Sequence, residues 1–521
     1  MNFLSFLKTR QKNKKEIYEE TENETKKIEK PQKTSGLIIK LPDEQTEIKD
    51  NEFYNLKSIK GIYMTDNVVK IGYNSFFGCG NLEEIIFSKN IKSIDYRTFY
   101  RCVKLKEIAF PQSIESLGKE LFSYCKGLEK VIIPEKIDIL PEYIFNECSG
   151  LKEVFLPENL SEIGKSSFTG CVSLEKIIIP PHVTKIGECA FERCSGLKEI
   201  VLPENLSEIG KSAFRGCSSL ERIVIPQKIN AVSNYLFNGC YNLKEVVFEG
   251  KINHIGIAAF NNCTSLEKLS GTVIPETIEE SAFEGCKTLT ESYICEETEY
   301  VGSRAYRSCE NIKNIVLENK INYVNANIFE NCVNLKNIKI SENIKTIDVG
   351  AFKNCVSLEN ISDMKNVIEI GTEAFYNCPM LKKIDIDKAD IIGANALLTG
   401  ADKTNIVLTK QSGEKIIKSI KDEFHFYYSA EDIITTNSII KLDLSEDEVD
   451  GKRMLFAFNK DDKVFMYSFS KEFATKETAE FLNEKFNDSQ TKAYIAEISA
   501  IIKRENKKSV KSRLSISLDD F

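Results

Sequence analysis

The chain has 521 residues, of which 42% are hydrophobic and 28% charged, and it carries a formal net charge of -8. That composition supports a large buried core, and its acidic balance argues against nucleic acid as the main partner. No stretch approaches the ~20 consecutive apolar residues of a membrane-spanning helix, so no transmembrane segment is expected.

Residues 1–35 begin with an apolar Met1–Leu7, followed by a run rich in Lys, Glu, Asn and Thr. Basic residues follow the apolar ones instead of preceding them, and no small-residue cleavage site appears, so a cleaved secretory signal is not expected. With little to bury, this arm reads as disordered or loosely helical.

Residues 36–409 are periodic. A phenylalanine returns every 23 residues, as in Phe76, Phe99, Phe122 and Phe145, with Tyr306 and Leu398 in its place later. About sixteen turns of one period mean one supersecondary unit stacked on itself, since a single unit cannot bury its apolar side. One unit reads Cys171-x-x-Leu174-x-x-Ile177-x-Ile179-Pro180-x-x-Val183-x-x-Ile186-Gly187-x-x-Ala190-Phe191. Ile177 and Ile179 alternate as one face of a short strand. Pro180 cannot donate to a ladder and ends that strand. Gly187 fits a tight turn, and the Ala-Phe pair would pack as a short helical or irregular segment on the far side.

These offsets resemble the BspA-like, or Treponema pallidum-type, leucine-rich repeat over roughly Gly36 to Ala401. The resemblance implies an α/β class fold, a solenoid of 23-residue units with a concave parallel β-sheet. It also implies a surface-exposed binding protein, with adhesion or host-protein contact as its role. Leu56 and Ala401 stand where the repeated cysteine is expected, as in the atypical end repeats that cap solenoids. Between Leu266 and Phe283 three residues are added before Pro275 and three are lost after Ile278, which predicts a kink or bulged strand.

Fourteen of the sixteen cysteines occupy one repeated position, Cys79 through Cys378. They read as a row of buried free thiols, not a disulfide framework. Cys189 and Cys295 fall outside the register and are the better candidates for reactivity. Reduced thiols and the lack of a recognised signal favour a cytoplasmic location, with the cell surface or a non-classical secretory route as the alternative.

The strand position between the two buried isoleucines should face outward on the concave side. Its first eight members are apolar: Ile86, Ala109, Ile132, Phe155, Ile178, Val201, Val224 and Val247. Ser270, Tyr293, Val316, Lys339, Ser362 and Asp385 follow, with Tyr293 and Val316 as the remaining apolar candidates. An uncovered apolar stripe marks an interaction site, although strand propensity alone also favours branched residues on either face. Beside it, Glu129-Lys130, Lys152-Glu153, Glu175-Lys176 and Lys198-Glu199 alternate in sign from unit to unit. Each charge should face its opposite on the next strand and help set the stacking order. Cys148 to Pro180 and Cys194 to Pro226 are nearly identical, so the copied block is 46 residues, a length that preserves this alternation.

Residues 410–521 lose the period and read as a cap and small α+β region. The expected elements are a helix over Glu414–Glu423, a sealing aromatic cluster His425–Tyr428, and a hairpin of Met454–Phe458 with Val464–Phe469. Helices over Thr475–Phe486 and Thr491–Arg504 follow, then a basic tail over Lys503–Arg513.

No motif points to catalysis. His182, His254 and His425 lack a second ligand at metal spacing. Gly164-Lys165-Ser166 and Gly210-Lys211-Ser212 lack the upstream glycine of a phosphate loop. No catalytic residue, metal site or cofactor is expected, and the chain reads as a non-enzymatic scaffold that binds a protein partner through its concave face. A recruitment solenoid serving an effector C-terminal region, and a self-assembling solenoid, are the alternatives.

Overall fold

The computed structural model describes residues 36–381 without a break, then 383–385, 388, 389, 391–393 and 396, and the backbone of five strands between 403 and 470. The chain divides into two compact units, Met1–Lys228 and Ile229–Phe521. The expected helices, aromatic cluster and basic tail of the C-terminal region, and the arm over residues 1–35, lie outside the described residues.

In the first unit each repeat forms one rung with two short parallel strands. The main strands are Ile59–Tyr63, Glu84–Ile86, Glu107–Ile108, Lys130–Ile132, Glu153–Phe155, Lys176–Ile178, Glu199–Val201 and Arg222–Ile225, hydrogen-bonded in short parallel sheets such as Glu107–Ile108 with Lys130–Ile132 and Glu153–Phe155, and Lys176–Ile178 with Glu199–Val201. A second ladder, which the repeat pattern did not announce, runs through two-residue strands such as Glu162–Ile163, Lys185–Ile186 and Glu208–Ile209. Pairing is in register by one repeat, with Lys176 opposite Glu199 and Ile186 opposite Ile209. Every side chain therefore lies beside the residue 23 positions away, and the sequence columns become physical columns.

The buried columns make the core. Phe53 through Phe214 stack ring on ring, with centroids 5.1 to 5.7 Å apart. Ile177 and Ile179 are both buried, as their spacing requires. The cysteines are free and buried, and each thiol donates to the backbone carbonyl of the phenylalanine 26 residues earlier, as in Cys125 to Phe99 at 2.9 Å and Cys194 to Phe168 at 3.0 Å. Cysteine suits this column because it fills space as a small hydrophobe while supplying one weak donor to an otherwise buried carbonyl.

The far side of the rung is a chain of tight turns, not a helix. The amides of Ser166, Phe168 and Gly170 donate to Glu188, Ala190 and Glu192 of the next rung at 2.8 to 2.9 Å, while those of Thr169 and Cys171 close three-residue turns. A helix needs successive amides to bond four residues back, and here alternate amides are committed sideways. Ser166 and Gly170 take positive φ of 51° and 74°, which also breaks any helix. Gly187 is not among the positive-φ residues; a Cβ there would lie 2.7 Å from the Lys165 amide nitrogen, so its glycine serves the close approach of two rungs. Among the described residues the only helical element is the 3₁₀ turn Met364–Asn366. Almost no α component of the expected α/β class is present among them.

The second unit repeats this core from Phe237 to Phe375, with centroids 5.2 to 5.8 Å apart. Its first main strands, Glu245–Ile255 and Lys268–Ile278, are long and pair with register shifts between Val247 and Lys251 and between Ile252 and His254. This is the bulge expected from the displaced Pro275. Gly271 sits at φ 107°, with the Phe248 carbonyl oxygen 2.1 Å from where a Cβ would be, so no other residue fits. At the next rung no strand forms over residues 291–295. The orphaned amide of Tyr293 donates instead to the Tyr306 hydroxyl at 3.1 Å, which explains why tyrosine replaces phenylalanine in the buried stack at that rung alone.

At the other end, Lys403–Thr409 pairs in parallel with Lys383–Asp385 and in antiparallel with Lys463–Ser470. The strands Arg453–Lys460 and Lys463–Ser470 form the expected hairpin, with a tighter connection than the five-residue loop that spacing suggested. Chain direction thus reverses where the repeats stop.

Candidate binding face

In the first unit the sheet aligns the outward column as the repeat predicts. Ile132 is opposite Phe155 and Ile178 opposite Val201. Ile86, Ile132, Phe155, Ile178, Val201 and Val224 are half-buried, and Ala109, one residue past its strand, is exposed. The column gains a member that sequence reasoning missed. Tyr63 pairs with Ile86, is half-buried, and donates its hydroxyl to Glu84 at 2.9 Å. Its position 23 residues before Ile86 was the available signal.

The second unit carries the column differently. Val247 is half-buried on its strand, and Ser270 donates to Glu245 at 2.6 Å. Tyr293 leaves the column: its ring stacks on the buried Phe283 at 5.7 Å, and its hydroxyl receives the Leu269 amide. Burial pushes that phenol up to about 12. Val316 is 43% exposed but has Lys339 as its register neighbour, so no apolar run forms around it.

Most flanking charges of the first unit pair with one another. Lys152 reaches Glu129 at 2.7 Å, Lys176 reaches Glu199 at 2.9 Å, Lys198 reaches Glu175 at 3.0 Å and Lys130 approaches Glu153 at 4.0 Å. The Lys152 ammonium holds the Glu129 carboxyl below the usual carboxylate range. Lys130 also lies 5.7 Å over the Phe155 ring. Lys165 and Lys211 of the phosphate-loop mimics both bond Glu188, at 3.0 Å each, so these segments are an ordinary ion-pair ladder.

The thiols are poor nucleophiles. Burial pushes Cys125 and Cys194 up to about 12. Cys189, expected to be the more reactive, is raised to about 11 by burial and then by its bond to Glu192, so a thiolate is disfavoured there also. Cys295 is half-buried beside Thr298 at 3.5 Å. His182 is exposed, His254 bonds Thr277, and His425 lies outside the described residues. Among the described residues, no group of three His, Cys, Asp or Glu side chains is placed to hold a metal ion, and no helix is long and apolar enough to cross a membrane.

The family model described as BspA type leucine rich repeat region (6 copies) matches residues 46–175, 161–290 and 276–400. The chain belongs to this BspA-type leucine-rich repeat family. Among solved structures, a leucine-rich repeat protein from Bacteroides ovatus is 26% identical, with a TM-score of 0.57 over 67% of this chain and 86% of that one. A leucine rich cell surface protein from Faecalibacterium prausnitzii is 26% identical over 62% of this chain and 87% of that one, with a TM-score of 0.41. A T. pallidum leucine-rich repeat protein is 26% identical over 36% of this chain and 79% of that one, with a TM-score of 0.29. No curated protein matches the chain. Binding and adhesion are the typical roles of BspA-type repeats, and scaffolds of this kind are typically non-enzymatic.

Proposed function

We propose that this BspA-type protein is a non-enzymatic scaffold that binds a protein partner on the outward face of the main strands of its first unit, the face expected to be concave. The observation that carries this reading is the column Ile86, Ala109, Ile132, Phe155, Ile178, Val201 and Val224, with Tyr63 at its head, one member per repeat, register-paired at Tyr63–Ile86, Ile132–Phe155 and Ile178–Val201 and left half-buried or exposed. Apolar side chains gain about 25 cal/mol for each Å² removed from water, so a partner surface that covers the stripe is favoured without new charges. The neighbouring lysines and glutamates are already paired, so they set the rim and exclude unmatched charges more than they attract.

The test is capture of partners from cell lysate and from surface extract, comparing wild type with Phe155→Glu/Val201→Glu. Both positions are half-buried on the outer face, so folding should survive, as circular dichroism can verify. The expected result is a specific partner whose capture drops at least about tenfold in the variant, because each introduced carboxylate must be desolvated in the interface. The extract that supplies it identifies the compartment; the unbridged thiols favour the cytoplasm. A partner captured equally by both proteins would move binding off this face. Sedimentation over a range of concentrations separates one further outcome, a dimer lost in the variant, which would assign the stripe to a second copy of the chain.

A further inference from the structure

The turns of the first unit expose a second surface that the stripe does not account for. On four successive rungs these turns read Tyr54-Asn55-Leu56-Lys57, Phe77-Gly78-Cys79-Gly80, Tyr100-Arg101-Cys102-Val103 and Ser123-Tyr124-Cys125-Lys126, with three basic residues and no acidic one. The tyrosine and phenylalanine rings form an outer ladder beside the core stack. Tyr54 and Phe77 are 4.9 Å apart and 11° from parallel, and Phe77 and Tyr100 are 4.7 Å apart at 5°. Arg101 then rests against two rings, 5.5 Å from the Tyr100 centroid and 5.3 Å from that of Tyr124, which are themselves 5.4 Å apart and tilted by 54°.

The local acids are occupied elsewhere. Glu120 is held by two Arg97 nitrogens at 2.8 and 3.0 Å and by the Tyr96 hydroxyl at 3.0 Å, and Glu83 is 3.9 Å from Lys104. Arg101 is exposed and makes no ion pair with any described residue. Further along the same turns the charges are matched, with Arg193 on Glu147 and Arg215 on Glu192 at 3.4 Å. An unmatched, exposed guanidinium resting against two rings is prepared for a carboxylate at little cost in side-chain entropy.

The ladder also decides between classes of anion. A nucleobase or a sugar binds an aromatic side chain by stacking on its face, and here Phe77 is stacked between Tyr54 and Tyr100, while the Arg97 and Arg101 guanidiniums lie over Tyr100 and Arg101 also lies over Tyr124. The ring edges along the ladder carry the positive end of the quadrupole and favour oxygen anions. We propose that this turn surface binds an acidic peptide segment of a protein partner, with the Arg101 guanidinium as carboxylate anchor. Lys57 and Lys126 flank it across three rung spacings, about 14 Å, a span that four or five residues of extended peptide cover.

The probe is a dye-labelled hexapeptide of alternating glutamate and phenylalanine, titrated with the full chain at low salt and followed by fluorescence anisotropy. Its lysine counterpart and an oligothymidylate of equal charge are the comparators. The acidic peptide should bind best, should weaken at least about tenfold in Arg101→Gln/Lys126→Gln through loss of charge-assisted bonds, and should be indifferent to Phe155→Glu/Val201→Glu, so this surface stands or falls apart from the stripe. Both substituted side chains are exposed, and an unchanged melting temperature checks that the fold is intact. Equal binding of the lysine peptide, tighter binding of the oligothymidylate, or an acidic-peptide affinity untouched by the double variant would each overturn the proposal.

Discussion

Rungs 84–201 of the first unit and rungs 314–362 of the second share a core and differ on their outer faces. Inside, both stack aromatic rings at the same spacing, and both donate a cysteine thiol to a carbonyl 26 residues earlier, at 2.9 to 3.2 Å in the first unit and 3.1 Å in the second. Outside, the first alternates lysine and glutamate beside an apolar column, whereas the second repeats one residue: Asn360 donates to Asn337, and Asn337 to Asn314, at 2.8 Å each. A second such ladder joins Asn377, Asn354 and Asn331. In-register stacking places each side chain against its own copy, so a column can repeat one residue only if that residue tolerates itself. Aromatic and aliphatic residues do, and asparagine does because its amide both donates and accepts. A charge does not, and its column must alternate. The 46-residue copied block is the shortest that keeps such an alternation intact.

Alkaline pH should test what the two regions share, and with the largest effect. Folded Cys125 and Cys194 in the first unit and Cys332 and Cys378 in the second titrate near 12, well above an exposed thiol. Because the folded value is the raised one, the stabilisation is complete below pH ~9 and is lost as pH rises toward 12, each such thiol removing up to about 1.4 kcal/mol per pH unit. Urea midpoints should fall steeply over that window in both units, and thiol labelling at pH 8 should leave the ladder cysteines unmodified until unfolding. Phe191→Ala and Phe329→Ala come next: each should cost about 3–5 kcal/mol in urea unfolding, since each opens a gap in a closed stack. A cost under 1 kcal/mol in either unit would mean that its column is not a true core.

Smaller effects separate the regions. Asn337→Ala removes both the donor to Asn314 and the acceptor for Asn360 without adding a charge, and should cost about 1 kcal/mol, with little dependence on salt compared with the charge column. Lys176→Glu places like charges beside Glu199. Its melting temperature should fall by no more than about 2 °C at low salt, recover at high salt, and be restored only in part by adding Glu199→Lys, which relieves this pair but leaves like charges facing Glu153 and Arg222 in the same column. Salt-insensitive loss at Lys176, or no loss at Asn337, would remove the distinction between an alternating and a self-complementary column.

The candidate stripe was legible to the extent that columns are legible. Ile132, Phe155, Ile178 and Val201 fall where a period of 23 residues and a strand's two-fold alternation put them. Tyr63 was missed because its unit lacks the repeated cysteine. Tyr293 was misplaced because nothing in its spacing tells that its rung loses the strand and that its ring turns onto Phe283. The turn surface around Arg101 was not visible at all, since its rings and cations belong to different columns and meet only when rungs stack.

By itself the sequence determined the repeat, the core columns, the sign alternation and the bulge before Pro275, because parallel in-register stacking turns sequence period directly into contact. The tertiary structure decided where backbone amides find partners. Lateral bonds between residues 22 apart, such as Phe168 to Ala190, made the Ala-Phe segment a run of turns instead of a helix. The same competition sent the Tyr293 amide to the Tyr306 hydroxyl and pulled one apolar residue off the face. Periodicity reports which side chains must be buried; it does not report which neighbouring strand will accept a given hydrogen bond, and that choice settled the turns, the interrupted rung and the surface they expose.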